Sequence, residues 1–123
     1  MIRHDILENQ AKIVFLGIGS NLGLRKINIE KAKSLLVENN LEFLSVSSYY
    51  ETPSWPDPRQ PKFLNIIIKL KCNYNPKELL KICKNIESQL GRKKAKKNAP
   101  RICDLDIIDF NNLVSEKTDK INL

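Results

Sequence analysis

Two rhythms of apolar residues run through this chain. From Ile13 to Gly19 (IVFLGIG) β-branched and aromatic residues crowd a short run that ends at Ser20, Asn21 and Gly23, which predicts a central strand. Its apolar residues fall on both faces, so it needs cover on both sides, either from helices or from a helix layer and a bound ligand. From Arg25 to about Asn39 the rhythm changes: Ile29, Ala32, Leu35 and Leu36 recur at helical spacing, with Lys26, Glu30, Lys33 and Glu38 mostly outside the stripe. Asn39-Asn40 ends that helix, and the partial alternation of Phe43 to Tyr50 (FLSVSSYY) predicts a second strand.

Phe63 to Lys71 (FLNIIIKLK) reads as a third strand with one anomaly. Asn65 shares a face with Phe63 and Ile67, so its amide bonds either a neighbouring backbone or a ligand. Asn75-Pro76-Lys77-Glu78 then combines an N-cap residue, a proline at N1 and a Glu at N3, a strong helix start. The stripe Leu79, Ile82, Cys83, Ile86, Leu90 follows, and Gly91 closes the helix. A fourth strand runs from Ile102 to Phe110, and Asn111-Asn112 turns it toward a short segment at Leu113 to Ser115. The order β-α-β-β-α-β predicts an α+β, ferredoxin-like fold: an antiparallel sheet with two helices on one face and the other face open. That fold alone narrows function little.

Two connections stand out. GIGSNLG lacks both the Lys-Ser/Thr ending of the P-loop and the spacing of the dinucleotide fingerprint, so it reads as a strand-to-helix turn. Glu51 to Pro61 (ETPSWPDPRQP) carries four prolines, which forbid regular structure and stiffen the loop. Trp55 within it either forms a binding surface or packs over the edge of the domain.

Composition adds bounds. At 123 residues the chain is long enough for one core, and its 41% hydrophobic and 28% charged residues are ordinary for a globular protein. No apolar run approaches the ~20 residues that span a bilayer. The first residues, MIRHDILENQAK, do not read as a signal peptide, so a cytoplasmic location is expected. Cys72, Cys83 and Cys103 are odd in number and far apart, as expected of buried free thiols. With His4 as the sole histidine, in what reads as a tail, a Cys/His catalytic pair has no support.

The net charge is +7, and six Lys or Arg fall between Arg92 and Arg101 with no acid among them. Immediately afterwards come Asp104 and Asp106, two apart on the fourth strand, so that both project to one face with Cα atoms ~6.5–7 Å apart. Taken as an arbitrary pair, such acids would form salt bridges to the loop. Ile102, Leu105, Ile107, Ile108 and Phe110 instead predict a strand in the sheet interior, where acids without a ligand would be costly. Magnesium fits such a pair, since it takes one or two carboxylates together with substrate phosphates. Arg92, Lys94 and Arg101 supply donors for a triphosphate. Lys93, Lys96 and Lys97 read as a solvated rim.

The segments FLGIGSNLG, SSYYETPSW, QPKFLNIIIKL, PKELLKICKNIESQLGR and NAPRICDLDIIDF together resemble the 6-hydroxymethyl-7,8-dihydropterin pyrophosphokinase family of folate biosynthesis. The resemblance runs from about Ile13 to Leu123, and the PR-x-x-DLD block is its most diagnostic part. It implies transfer of diphosphate from MgATP to the pterin hydroxymethyl oxygen with release of AMP. It also implies two Mg²⁺ ions on Asp104 and Asp106, with Arg92, Arg101, Asp104 and Asp106 as the catalytic set. Glu87, Arg92, Lys94, Arg101 and Ile107 would serve the nucleotide; Thr52, Pro53, Trp55, Phe63 and Asn65 would form the pterin pocket, with Phe63 stacking on the ring and Asn65 reading its edge. Residues 1–12 would be an N-terminal extension and 13–123 a pyrophosphokinase domain without the family's usual C-terminal part, a monomer that binds neither nucleic acid nor membrane. Two alternatives stand beside it: an RNA-binding ferredoxin-like module, which leaves the two acids unexplained, and an inactive truncated relative.

Overall fold

The computed structural model describes residues 11–91 and 100–111. Strand β1 (Lys12–Ser20) is followed by helix α1 (Arg25–Glu38), strands β2 (Glu42–Val46), β3 (Tyr50–Thr52) and β4 (Phe63–Cys72), helix α2 (Pro76–Gln89) and strand β5 (Asp104–Phe110). All pairings are antiparallel, in the order β2-β4-β1-β5, with β3 also laid along β4. With β2 and β3 taken as one interrupted strand this is the expected ferredoxin-like sheet.

Both helices pack on one face. Val14, Leu16 and Ile18 of β1, Ile66, Ile68 and Leu70 of β4, and Leu105 and Phe110 of β5 meet Ile29, Ala32 and Leu36 of α1 and Leu79, Cys83 and Ile86 of α2 in one core. The helix stripes predicted from periodicity are therefore the buried stripes. The start of α2 also forms as read: Asn75 Oδ1 accepts from Glu78 N at 2.8 Å while Glu78 Oε1 accepts from Asn75 N at 2.9 Å, satisfying two donors that the first helical turn leaves free. At the far end Gly91 takes a φ of +99°, which glycine adopts without strain.

Three expectations change. The single strand from Phe43 to Tyr50 is two short ones. Tyr50 lies four residues on from Val46, but its partner Asn65 lies only three back from Ile68, so the chain carries one residue too many for a continuous ladder. Across the break Ser47 substitutes for it: Ser47 N donates to Ile67 O and Ser47 Oγ accepts from Ile67 N, each at 2.8 Å. Second, two boundaries move: the last strand starts at Asp104 rather than Ile102, and the proline loop starts only after Thr52, since Glu51 and Thr52 belong to β3.

The third change matters most for the site. Among the described residues β5 is an edge strand, not an interior one. Its run of apolar residues has another cause. Phe15 pairs with Asp109 and Leu16 with Ile107, which leaves Ile108 unopposed in a bulge. The bulge lets Leu105, Ile107 and Phe110 all face the helices while Ile108 turns to the open face. The three cysteines are free and buried, as expected; burial pushes the Cys83 and Cys103 thiols up to about 12, which makes them poor nucleophiles.

Candidate active site

The open face of the sheet carries a hollow beside β5. A cavity of about 290 Å³ is lined by Gly17, Gly19, Tyr50, Thr52, Phe63, Asn65, Asp104, Asp106 and Ile108, together with Ile18 and Ile66. It thus joins the two carboxylates of β5 to three residues that the sequence reading grouped separately, Thr52, Phe63 and Asn65. Strand alternation delivers all of them, because Gly19 pairs with Asn65 on one side and Asp104 on the other, and Tyr50 pairs with Asn65 in turn.

The floor is made by what is missing. A Cβ on Gly19 would stand 2.8 Å from Asn65 Oδ1 and 3.3 Å from Phe63 Cδ1, and one on Gly17 would stand 3.2 Å from Ile108 Cδ1. Larger residues at these positions would fill the hollow. Within the apolar run Ile13–Gly19 the signal for this floor is glycine inside a strand, which often marks close approach of a ligand or another backbone. Asn65 also resolves its anomaly. Its Nδ2 donates to Thr52 Oγ1 at 2.9 Å and to Tyr50 O at 3.3 Å, which aims Oδ1 over Gly19.

The two aspartates differ. Asp104 is partly buried and accepts from Arg101 Nη1 at 2.8 Å, so the salt bridge to the basic segment exists for this acid. Asp106 is exposed, contrary to the expectation of two buried acids, although its carboxyl is held above the ordinary carboxylate range. The causes are partial desolvation first, then the negative charges of Asp104 and Glu87, offset in part by Lys84 and Arg101. Among the described residues the Asp106 side chain makes no hydrogen bond or ion pair, and no group of three or more His, Cys, Asp or Glu is placed to hold a metal. The pair by itself offers two carboxylates on one face, which could hold a cation only together with further donors.

Asn21, placed by its sequence in the strand-to-helix turn, is a junction. It is 2% exposed. Its Oδ1 accepts from Arg101 N at 2.7 Å, its main-chain N–H donates to Arg101 O at 3.1 Å, and its Nδ2 donates to Ser54 Oγ and Pro61 O at 3.0 and 3.1 Å. One side chain therefore ties the end of β1, both ends of the proline loop and the residue that pairs with Asp104. Arg25 secures the same loop by donating to Lys62 O at 3.0 Å and pairing with Glu51 at 2.8 Å. Replacing Asn21 by Ala leaves the partly buried Arg101 N–H without its acceptor, at ~1–3 kcal/mol for an orphaned polar group. The expected outcome is a loss of that size in urea denaturation with no change in the m-value.

The remaining expected site residues lie elsewhere. Trp55 is 84% exposed and Pro53 is exposed; neither lines the cavity, and Trp55 does not pack over the domain edge. Ile107 packs against the core on the helix side. Glu87 is buried beneath the sheet rather than on the open face. Arg92 and Lys94 lie outside the described residues.

This cavity can be set beside known proteins. Residues 15–121 match the family model for 7,8-dihydro-6-hydroxymethylpterin-pyrophosphokinase (HPPK). The chain belongs to the HPPK family. It is 42% identical over 95 residues to the 2-amino-4-hydroxy-6-hydroxymethyldihydropteridine pyrophosphokinase of Aquifex aeolicus, covering 77% of this chain and 59% of that protein. It is 38% identical over 100 residues to the Bacillus subtilis protein of the same name, covering 80% and 60%. With the folic acid synthesis protein fol1 of Schizosaccharomyces pombe it shares 36% identity over 114 residues, which is 92% of this chain and 16% of that protein. The chain thus spans about three fifths of the length of these bacterial HPPK relatives. Every described lining residue of the cavity lies inside the HPPK-matched segment. Among the described residues no helix is long and apolar enough to cross a membrane.

Proposed function

We propose that this chain carries the site that transfers a diphosphate group from MgATP to the hydroxymethyl oxygen of 6-hydroxymethyl-7,8-dihydropterin in folate biosynthesis. The observation that carries the reading is the single cavity in which Asp104 and Asp106 face Thr52, Phe63 and Asn65. In the reaction the pterin hydroxyl attacks the β-phosphorus, the bond from that phosphorus to the α–β bridging oxygen breaks, AMP leaves, and the hydroxyl proton is lost.

The residues suit a hard divalent cation held jointly with a substrate. Two carboxylates share one wall, Asp106 has no protein counter-ion among the described residues, and oxygen donors from phosphates and water would complete the shell. Mg²⁺, two ions in our reading, would shield the phosphate charge as the nucleophile approaches. Phe63 offers the pterin an aromatic surface at the cavity wall, and Asn65 Oδ1, aimed by Thr52 and Tyr50, accepts from the N–H edge of the ring. Arg101 balances Asp104 until phosphates arrive and then shares its guanidinium between them. Arg92 and Lys94 are assigned to the phosphates on the family pattern alone, and Pro53 and Trp55 to the loop beside the pterin. ATP and the reduced pterin are the partners this reading requires; a monomeric, cytoplasmic protein accords with it.

Calorimetry on the whole chain tests the reading with a non-hydrolysable ATP analogue, with and without Mg²⁺ and the pterin. The analogue is expected to bind at least ~10-fold more tightly with Mg²⁺, a difference of about 1.4 kcal/mol, and the pterin to bind more tightly once the analogue is present. Nucleotide binding indifferent to Mg²⁺ would defeat it, as would RNA binding with a steep salt dependence on the open face.

A further inference from the structure

Asn21 holds more of the cavity's rim than a turn residue needs to. It immediately follows β1, and its contact with Arg101 continues the pairing of β1 with β5 past Gly19 and Asp104. In a hydrogen-bonded antiparallel pair two residues exchange main-chain bonds. Here Asn21 N–H donates to Arg101 O at 3.1 Å as such a pair would, but the return bond from Arg101 N–H goes to Asn21 Oδ1 at 2.7 Å. The side chain has taken the place of the main chain. Its Nδ2 then reaches the proline loop, donating to Ser54 Oγ and Pro61 O at 3.0 and 3.1 Å. An acceptor and two donors on so short a side chain is a set that asparagine carries and aspartate does not. Ser54, also buried, donates from Oγ to Pro61 O at 2.7 Å, and Asn28 fixes the turn itself by donating to Leu22 O at 2.9 Å.

These bonds join the two walls of the cavity. Ser54 and Pro61 lie just outside Thr52 and Phe63, the last pair before the loop, and both of that pair line the cavity. Arg101 donates to Asp104 on the carboxylate wall at 2.8 Å. The sheet links the walls along the floor, through Asn65, Gly19 and Asp104; Asn21 links them again beyond the end of the strand. A buried polar network whose members are bonded rigidifies what it joins. We infer that Asn21 is a positioning residue for the proposed reaction, holding Arg101 and the proline loop at one separation so that the ligand that binds first at either wall readies the other. This rests on the reading of the cavity as the site for MgATP and the pterin. A wall ordered by the first ligand leaves less ordering to the second, which is positive cooperativity, and the effect is reciprocal. Cutting the link at Asn21 lets each wall order by itself.

The test uses the whole chain, a non-hydrolysable ATP analogue with Mg²⁺, and the pterin. Calorimetry reads one ratio: pterin affinity with the analogue bound over pterin affinity without it. In the parent a ratio of ~5 to 150 is expected, the usual range of coupling between two sites. Asn21→Ala should bring the ratio to within ~2-fold of unity and speed hydrogen exchange at the Arg101 amide, whose acceptor it removes. Ile68→Val lowers stability by opening a void in the core, away from this junction, and should keep the parent's ratio. A folded Asn21→Ala protein with the parent's ratio would overturn the inference. So would an Ile68→Val protein that loses the ratio as fully, because coupling would then follow stability and not Asn21. Should Asn21→Ala not fold, Ser54→Ala takes its place; it removes the Oγ arm of the link and should lower the ratio by ~3-fold, the scale of one hydrogen bond, and an unchanged ratio would overturn the inference. A parent that binds both ligands with a ratio of one overturns the inference and leaves the cavity reading in place, whereas a parent that binds neither overturns both.

Discussion

Asp106→Asn should make the metal-free protein more stable and, on the proposed function, nearly abolish diphosphate transfer. The Asp106 carboxyl is held above its ordinary value of 3.8, through partial desolvation and then through the charges of Asp104 and Glu87. The folded chain therefore keeps that proton to a higher pH than the unfolded chain does. Stability contributed by the protonated form is fully present below the unfolded value, declines as pH rises through the folded value, and at neutral pH has become a cost. The isosteric amide carries no charge and escapes it. Thermal denaturation in chelator at pH 7 should give a higher Tm for Asp106→Asn than for the parent, with the difference closing below about pH 4, where the parent carboxyl is also neutral. Turnover should fall in the opposite sense, by at least ~100-fold, the scale on which one preorganised electrostatic partner matters in a transition state. A variant that is less stable than the parent at pH 7 without metal would show that Asp106 is a structural ion-pair member, not a carboxylate kept for a cation.

That split between stability and function explains which parts of the molecule could be read from its sequence. Elements whose side chains carry a strong packing signal were legible: the stripe Leu79, Cys83, Ile86 and the box Asn75 to Glu78 fold where periodicity and capping chemistry put them. The same logic failed where one extra residue resets the alternation. Nothing in FLSVSSYY marks the unopposed residue between Val46 and Tyr50, because a bulge is a property of the pairing and not of the strand alone. On β5, an edge strand among the described residues, the bulge at Ile108 places apolar residues on both faces, as an interior strand would. Ile108 earns its place by lining the cavity, where a ligand rather than a helix would cover it. The DLD motif announced itself through charge in an apolar run. Asn21 did not, since an asparagine after a strand has a sufficient explanation as a turn residue, and its three distant partners are visible only once the chain is folded. The glycine floor was silent in the hydrophobic pattern for a related reason, as a residue without a side chain leaves no mark there, and only glycine inside a strand pointed to it.

Gly19→Ala is where that silence should break, with the larger effect on the pterin and a small one on the nucleotide. The added methyl carbon would lie 2.8 Å from Asn65 Oδ1, closer than real Cβ contacts allow, and 3.3 Å from Phe63 Cδ1. Asn65 cannot simply swing aside, because its Nδ2 is held by Thr52 Oγ1 and Tyr50 O. Relief therefore breaks those hydrogen bonds or shifts Phe63, and either one disturbs the acceptor and the aromatic wall together. Loss of one such hydrogen bond and part of the stacking surface is worth ~2–3 kcal/mol, so pterin affinity should drop by about 30- to 150-fold. Asp104, although it is the residue opposite Gly19 on β5, is not among the atoms the methyl would meet. Binding of Mg²⁺ and the ATP analogue should accordingly stay within a few fold of the parent. The same reasoning makes Gly17→Ala milder, since its methyl meets the end of the flexible Ile108 side chain at 3.2 Å, which can rotate away. Isothermal titration of the two variants with nucleotide and pterin separately gives the ordering. If Gly19→Ala lost nucleotide and pterin binding in equal measure, the cavity would not be divided into a carboxylate wall and a ring-binding wall, and the assignment of Asn65 and Phe63 to the pterin would have to be given up.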